Sequence, residues 1–335
     1  CIFIINRVKR SKIGECVQRY KIGGFSMKRI AVIGSLNVDY VAYVSNTPKT
    51  GETVLSDFFE IVPGGKGANQ AFALGRMGAQ VAMFGAVGKD ANAAIELDSL
   101  KHANVFTENI QIVNSHTGIA MIVVDKNGNN SIIVSQGANR HVTTEYIDSV
   151  IDKLQEYDII IMQLEIPLPT VIYATEKLKG MGKTIILDPA PAPGPLPDSL
   201  LRNVDYIKPN ETELAKLTGI TDVRQNMEQA CNILLQQGVG CVLASVGEDG
   251  VFVATQTGGC INYPAEKVTV VDTTAAGDSF IAAFAFALSK NCSLDKSVQF
   301  ANQVAGIVVQ RKGAQTSIPD KNEIRELWGK IGPVS

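Results

Sequence analysis

The sequence lacks the features that mark a secreted, metal-bound or membrane protein. Its 335 residues include six cysteines, at 1, 16, 231, 241, 260 and 292, with no CxxC pair, and only three histidines. That excludes the common zinc spacings, and the thiols read as reduced, structural residues of a cytoplasmic protein. An excess of either charge is also missing: 31 Lys and Arg stand against 33 Asp and Glu, a net charge of −2. Nothing here suggests a nucleic-acid or acidic-membrane partner. The longest apolar runs are of strand or short-helix size, well below the roughly 20 residues of a spanning helix. Two familiar phosphate signatures are absent too. In GGKG, 64–67, Glu60 stands where the first Walker glycine belongs and Gly67 replaces the Ser or Thr after Lys66. Gly65-x-Gly67-x-x-Gln70 misses the third glycine of the dinucleotide fingerprint.

What is present is an alternation of strands and helices. Residues 1–26 stand apart: they begin without Met, are basic and show no helical period, whereas Met27 opens a strand-like MKRIAVIGS. They read as a non-native or disordered extension, with 27–335 as one domain. Ile30–Ile33, Val81–Phe84, Ile159–Leu164, Thr184–Leu187, Val204–Ile207 and Cys241–Ala244 are expected strands. Gly67–Met77, Ala91–Lys101, Thr143–Leu154, Pro169–Lys179 and Val223–Gln237 are expected helices between them. This order predicts an α/β fold, a mostly parallel sheet buried on both faces. Two interruptions, about 39–62 and 117–135, read instead as strands joined by turns, with Asp125-Lys-Asn-Gly128 a hairpin turn. They predict a small projecting sheet that serves as a lid over a site at the C-terminal strand ends.

The stretch VVDTTAAGDSFIAAFAFAL, Val270–Leu288, carries the strongest chemical signal. Val268–Val271 reads as a strand and Ser279–Leu288 as a buried helix, so Asp278 falls in a first helical turn. Ala275, Ala276 and Gly277 would then offer free N–H groups at a helix N-terminus, an anion site. Asp278 is either a residue that complements the helix dipole or a base that takes a hydroxyl proton beside that site. GGKGANQ is likewise either a tight loop before a helix or a ligand loop.

Taken together these motifs resemble the ribokinase branch of the phosphofructokinase-B type (PfkB) sugar kinases. Asp272-Thr-Thr-Ala-Ala-Gly277-Asp278-Ser-Phe is similar to the C-terminal signature, and Gly64-Gly-Lys-Gly-Ala-Asn69-Gln to the N-terminal one. Gly34-Ser-Leu-Asn37-Val-Asp39, Met162-Gln-Leu-Glu165, Asp188-Pro-Ala-Pro191, Pro209-Asn210-Glu-Thr-Glu213 and Arg311-Lys-Gly-Ala-Gln-Thr-Ser317 follow in family order, from Met27 onward. The resemblance implies a three-layer ribokinase-like fold and ATP-dependent phosphorylation of ribose at O5. Asp278 would be the base, with Ala275, Ala276 and Gly277 as the anion hole. Asn37, Asp39, Gly65, Lys66, Gly67, Asn69 and Glu165 would bind the sugar. Asn210, Ser245, Val246, Gly247, Glu248, Asp249, Gly250, Gly277 and Asn302 would hold ATP. Asn210 and Glu213 would act on Mg²⁺ through water, while also forming a helix cap. Asp272, Thr274, Val308, Arg311, Gly313 and Ser317 would form an oxygen site for K⁺. The resemblance further implies a homodimer joined through the lids. Other sugars or nucleosides as acceptor, or an inactive sugar-binding regulator, are the alternatives. The chain departs from the family at Ala282, where Gly is frequent, and at Asp188, where Asn is frequent.

Overall fold

The computed structural model describes residues 27–331. The expected extension, 1–26, lies outside them. Thirteen strands are described: β1 Ile30–Ile33, β2 Asn37–Val44, β3 Phe58–Gly64, β4 Val81–Gly88, β5 Phe106–Val113, β6 Gly118–Asp125, β7 Asn130–Ser135, β8 Ile159–Gln163, β9 Thr184–Asp188, β10 Tyr206–Ile207, β11 Cys241–Ser245, β12 Val251–Thr255 and β13 Gly259–Tyr263. The helices are α1 Lys66–Met77, α2 Ala91–His102, α3 Thr144–Leu154, α4 Leu168–Gly180, α5 Asp198–Leu201, α6 Glu211–Thr218, α7 Met227–Gln236, α8 Ala276–Ser289, α9 Leu294–Val308 and α10 Lys321–Ile331.

The main sheet runs β13-β12-β11-β10-β9-β8-β1-β4-β5. It is parallel from β11 to β5 and ends in the antiparallel strands β12 and β13. The period of two in a strand explains the layers. In β1, Ala31 and Ile33 face one apolar cluster with residues of α3–α7, while Ile30 and Val32 face a second with residues of α1, α2 and α8–α10. Both faces are dry, so every residue of β1 and β4 is buried, as near-continuous apolar strands predict. Within the first cluster Phe84 meets Tyr157 edge-on, ring centroids 5.6 Å apart.

The two interruptions form a separate four-stranded sheet, β3-β2-β6-β7. Its β6–β7 hairpin turns where Gly128 N–H donates to the Asp125 carbonyl at 2.9 Å. Gly34–Leu36 link β1 directly to β2, so the first strand of the main sheet runs straight into the small one. The small sheet presents Phe58, Phe59, Ile61, Ile132 and Ile133 to the exterior, 46–65% exposed.

One expected strand is absent. Residues 268–271 make no ladder, and Val270 and Val271 are exposed. Their valines suit a strand, but the edge of the sheet is taken by β13 and these residues pair with no strand. Val271 instead donates its N–H to the Val309 carbonyl just past α9, at 2.7 Å. The sequence reading also passed over β5, the β12–β13 hairpin and helices α9 and α10.

Candidate active site

Parallel strands deliver chemistry at their C-terminal ends. β1 leads to Ser35, β8 to Glu165, β9 ends at Asp188, and β10 leads to Lys208 and Asn210. Helices α1 and α8 start over the same edge and bring Lys66, Asn69, Gln70 and Asp278.

Asp278 is buried and sits in the first turn of α8, where the positive end of the helix dipole favours a carboxylate. Two amides orient it: Asn69 Nδ2 donates to Oδ2 at 3.2 Å and Gln70 Nε2 to Oδ1 at 2.9 Å. Gln70 Nε2 also lies 2.9 Å from Asp188 Oδ2, and Gln70 Oε1 accepts from Gln163 at 2.6 Å. Gln315 Nε2 in turn donates to Asn69 Oδ1 at 3.2 Å. Ala275 adopts φ 59° and turns the chain into the helix. The expected set of three free N–H groups is reduced, because Ala276 N–H leans on the Thr273 carbonyl at 3.2 Å. Those of Ala275, Gly277 and Asp278 have no protein acceptor among the described residues. Gly277 is where α8 meets Lys208: a Cβ there would lie 2.7 Å from Lys208 Nζ, the mobile end of that side chain.

Lys208 was missed in the sequence. It is buried, with its ammonium at the start of α8. The signal available was a charged residue closing the apolar Tyr206-Ile207 just before Pro209-Asn210. Gln70, Gln163 and Gln315 were missed as contacts, since amides in a motif leave no charge or spacing cue.

Asp39, on β2, is partly buried, and its carboxylate rests on Gly64, where a Cβ would lie 2.4 Å from Oδ2. No protein donor binds it among the described residues. Burial, and then the negative charges of Glu165 and Asp278, push its carboxyl up to about 7. Asn37 Oδ1 accepts from Asn139 Nδ2 at 2.7 Å. Glu165 accepts from Ser35 Oγ at 2.6 Å and from Lys66 N–H at 3.1 Å. Gly65 is the N-cap of α1, and Gly67 N–H donates to Ser35 Oγ at 3.2 Å. Burial pushes the Lys66 ammonium down, but Asp188, Asp278, Glu165 and Glu213 together hold it above its ordinary value. Asp188, pushed up to about 6, is opposed in this order: burial raises it, Lys66 and Lys208 lower it, Asp278 and Glu213 raise it.

The remaining expected residues lie around this centre. Asn210 and Glu213 form a reciprocal capping box on α6, 2.8 Å each way. Asn210 also bridges to Ser245, which joins this cap to the 246–250 turn. In that turn Val246 is buried, Gly247–Asp249 makes a single 3₁₀ turn closed by Gly250, and Asp249 is held by Arg224 at 2.7 Å while Glu248 is exposed. Asn302 Nδ2 is spent on the Tyr263 carbonyl at 3.0 Å. Asp272 accepts from Thr274 N–H and Oγ and from Gly313 N–H, at 2.6–2.9 Å. Burial pushes its carboxyl up, yet these donors and Lys312 keep it below the usual range. Val308 and Ser317 are already hydrogen-bonded locally, and Arg311 pairs with Glu323. Ala282 is fully buried.

The arrangement combines a buried, amide-oriented carboxylate, an anion-ready helix N-terminus and a second, unpartnered carboxylate beneath a sheet. The model of the pfkB family carbohydrate kinases matches residues 27–321. The chain belongs to this family. The kinase is 37% identical to a ribokinase of Haemophilus influenzae over 90% of this chain and 98% of that one. It is 36% identical to a deoxyribokinase of Salmonella typhi, over 89% and 97%. An Arabidopsis thaliana ribokinase structure, complexed with ribose and ATP, superposes with a TM-score of 0.84 at 32% identity, over 92% of this chain and 99% of that one. The kinase is thus an enzyme, a sugar phosphotransferase of ribokinase-like fold. Among the described residues no helix is long and apolar enough to cross a membrane.

The raised Asp39 carboxyl has a consequence for stability. With an ordinary value of 3.8 when unfolded and about 7 when folded, its ionisation disfavours the fold. The cost is absent at low pH, grows between these values and is complete above them. Asp39→Asn is therefore expected to raise Tm, by more at pH 8 than at pH 5. Calorimetric melts at the two pH values test this, and an equal or negative shift at pH 8 would contradict it.

Proposed function

We propose that the kinase transfers the γ-phosphoryl group of ATP to O5 of ribose, with Asp278 as the base. The observation that carries this reading is the Asp278 carboxylate, fixed by Asn69 and Gln70 at the start of α8 and beside Lys208. The O5 proton passes to Asp278 as the O5–P bond forms, the bond from P to the β–γ bridging oxygen breaks, and ADP departs. The free N–H groups of α8 and the Lys208 ammonium would hold the charge of the moving phosphoryl group. Asp39 would accept two adjacent sugar hydroxyls, which suits a carboxylate without a protein donor. Asn37 keeps its amide nitrogen for a further hydroxyl, which favours ribose. The 36%-identical deoxyribokinase supports deoxyribose as the second reading.

Asn210 and Glu213 suit water-mediated Mg²⁺, since the capping box leaves each a free acceptor lone pair and exposes Asn210. The ion would neutralise phosphate charge. Asp272, kept ionised, would anchor K⁺ with the carbonyls of Thr274, Val308, Arg311 and Gly313 and with Ser317. Its Gly313 contact ties the two halves of that site together.

A coupled ADP-release assay over ribose, deoxyribose, hexoses and nucleosides, in K⁺ and in Na⁺ salts, tests the reading. Ribose in K⁺ is expected to give the highest kcat/KM, and Asp278→Asn to lower kcat by roughly 10²–10⁴-fold with binding retained. Preference for another acceptor, or a variant within about threefold of the parent, would overturn it.

The exterior of the small sheet supports a homodimer through the lids, because Phe58, Phe59, Ile61, Ile132 and Ile133 stay exposed on one chain. Light scattering is expected to give twice the 35.9 kDa chain mass. A single-chain mass at micromolar concentration would refute the pairing.

A further inference from the structure

One buried acid takes no part in the chemistry above. Glu96, on α2, is fully buried. Its Oε1 accepts from Gly64 N–H at 3.1 Å, and its Oε2 has no partner. Gly64 ends β3, in register with Asn37 on β2. The opposite side of the same glycine carries the Asp39 carboxylate, near enough that a Cβ would lie within 2.7 Å of both its oxygens. Gly64 therefore lies between two carboxyl groups: Glu96 holds its N–H, and Asp39 fills the space where a side chain would be. Helix α2 grips β2 as well, through Asn92, which accepts from Tyr40 OH at 2.9 Å.

We propose that Glu96 is a positioning residue for the sugar pocket, fixing Gly64 from behind and so setting where the Asp39 carboxylate meets the sugar. This rests on the reading of Asp39 as a sugar ligand. A carboxyl with no cation beside it stays protonated when buried. The elements packed on α2 carry Lys66 and Arg76 on α1, Asp39, Tyr40 and Tyr43 on β2, Glu60 on β3 and Glu108 on β5, while α2 itself adds Asp98, Lys101 and His102. Of these, Asp39 acts on Glu96, and it opposes ionisation, as burial does first. Neutral Glu96 lets Asp39 hold the one negative charge at Gly64. Ionised Glu96 would set a second charge behind it and drive the Asp39 carboxylate off its seat. Sugar affinity should then fall toward alkaline pH, with ATP affinity unaffected.

Two variants of the full chain, titrated with ribose by calorimetry, test this. Glu96→Leu removes the acceptor for Gly64 N–H and is expected to weaken ribose binding roughly tenfold while leaving ATP binding unchanged. Glu96→Gln keeps an acceptor but cannot ionise. It is expected to bind ribose like the parent at neutral pH and to lack the parent's alkaline loss of affinity. Parent-like ribose binding by Glu96→Leu, or superposable alkaline profiles for parent and Glu96→Gln, would overturn the proposal. If Glu96→Leu does not fold, the Glu96→Gln profile decides alone. A parent without ribose affinity would remove the sugar-pocket reading itself, a distinct failure visible before any variant is made.

Discussion

Four carboxyl groups crowd the same small space at the strand ends: Asp39, Glu165, Asp188 and Asp278. Like charges at close range in a partly dry volume repel strongly. Lys66 answers all but Asp39 directly, and Lys208 adds a second ammonium that acts on Asp188 and lies at Gly277 in the first turn of α8. Burial first, and the neighbouring negative charges after it, leave Asp39 and Asp188 pushed up to about 7 and about 6. On the proposed reading this strain is kept because a polyol and a phosphate meet here: a sugar would supply the hydroxyl donors that the fold leaves Asp39 without, and the moving phosphoryl group would use the cations and bare N–H groups at α8.

The fold is arranged to hold that balance. The parallel strands bring Glu165, Asp188 and Lys208 to one edge, while the apolar clusters on both faces of the sheet fix the helices that carry Lys66 and Asp278. Amides fill the gaps between the charges: Gln315 with Asn69, and Gln163 with Gln70, form two arms of hydrogen bonds that meet on Asp278. Neutral donors can orient a carboxylate without stabilising it as fully as a cation would. Asp278 is therefore aimed by neutral donors at the start of α8.

Much of this was legible in the sequence, for physical reasons that differ by element. Buried parallel strands such as Ile30–Ile33 and Ile159–Gln163 read clearly because both faces must be apolar. The small sheet was visible through its turn chemistry at Asp125–Gly128 and through the break in strand–helix alternation. Residues 268–271 misled, since β-branched side chains record a preference for extended backbone but not whether a partner strand is free. Asp278, Asn69, Asp39, Glu165 and Lys66 were picked out by motif, and the structure brings them into one site. Lys208, Gln70 and Glu96 escaped because their meaning lies in distances across the fold: to Gly277, to two aspartates and to Gly64. Asn302, expected near a nucleotide, spends its amide on the Tyr263 carbonyl, a contact that sequence spacing could not reveal.

The account stands on Asp39 being an over-crowded acid that the sugar relieves by donating hydroxyls to its ionised form. Ribose titrations at pH 7, in buffers of different ionisation enthalpy, measure that directly. A group that titrates at about 7 when free should release on the order of half a proton as ribose binds, and Asp39→Asn should abolish the release. Ribose binding with no proton exchange, or with release undiminished in Asp39→Asn, would contradict the account.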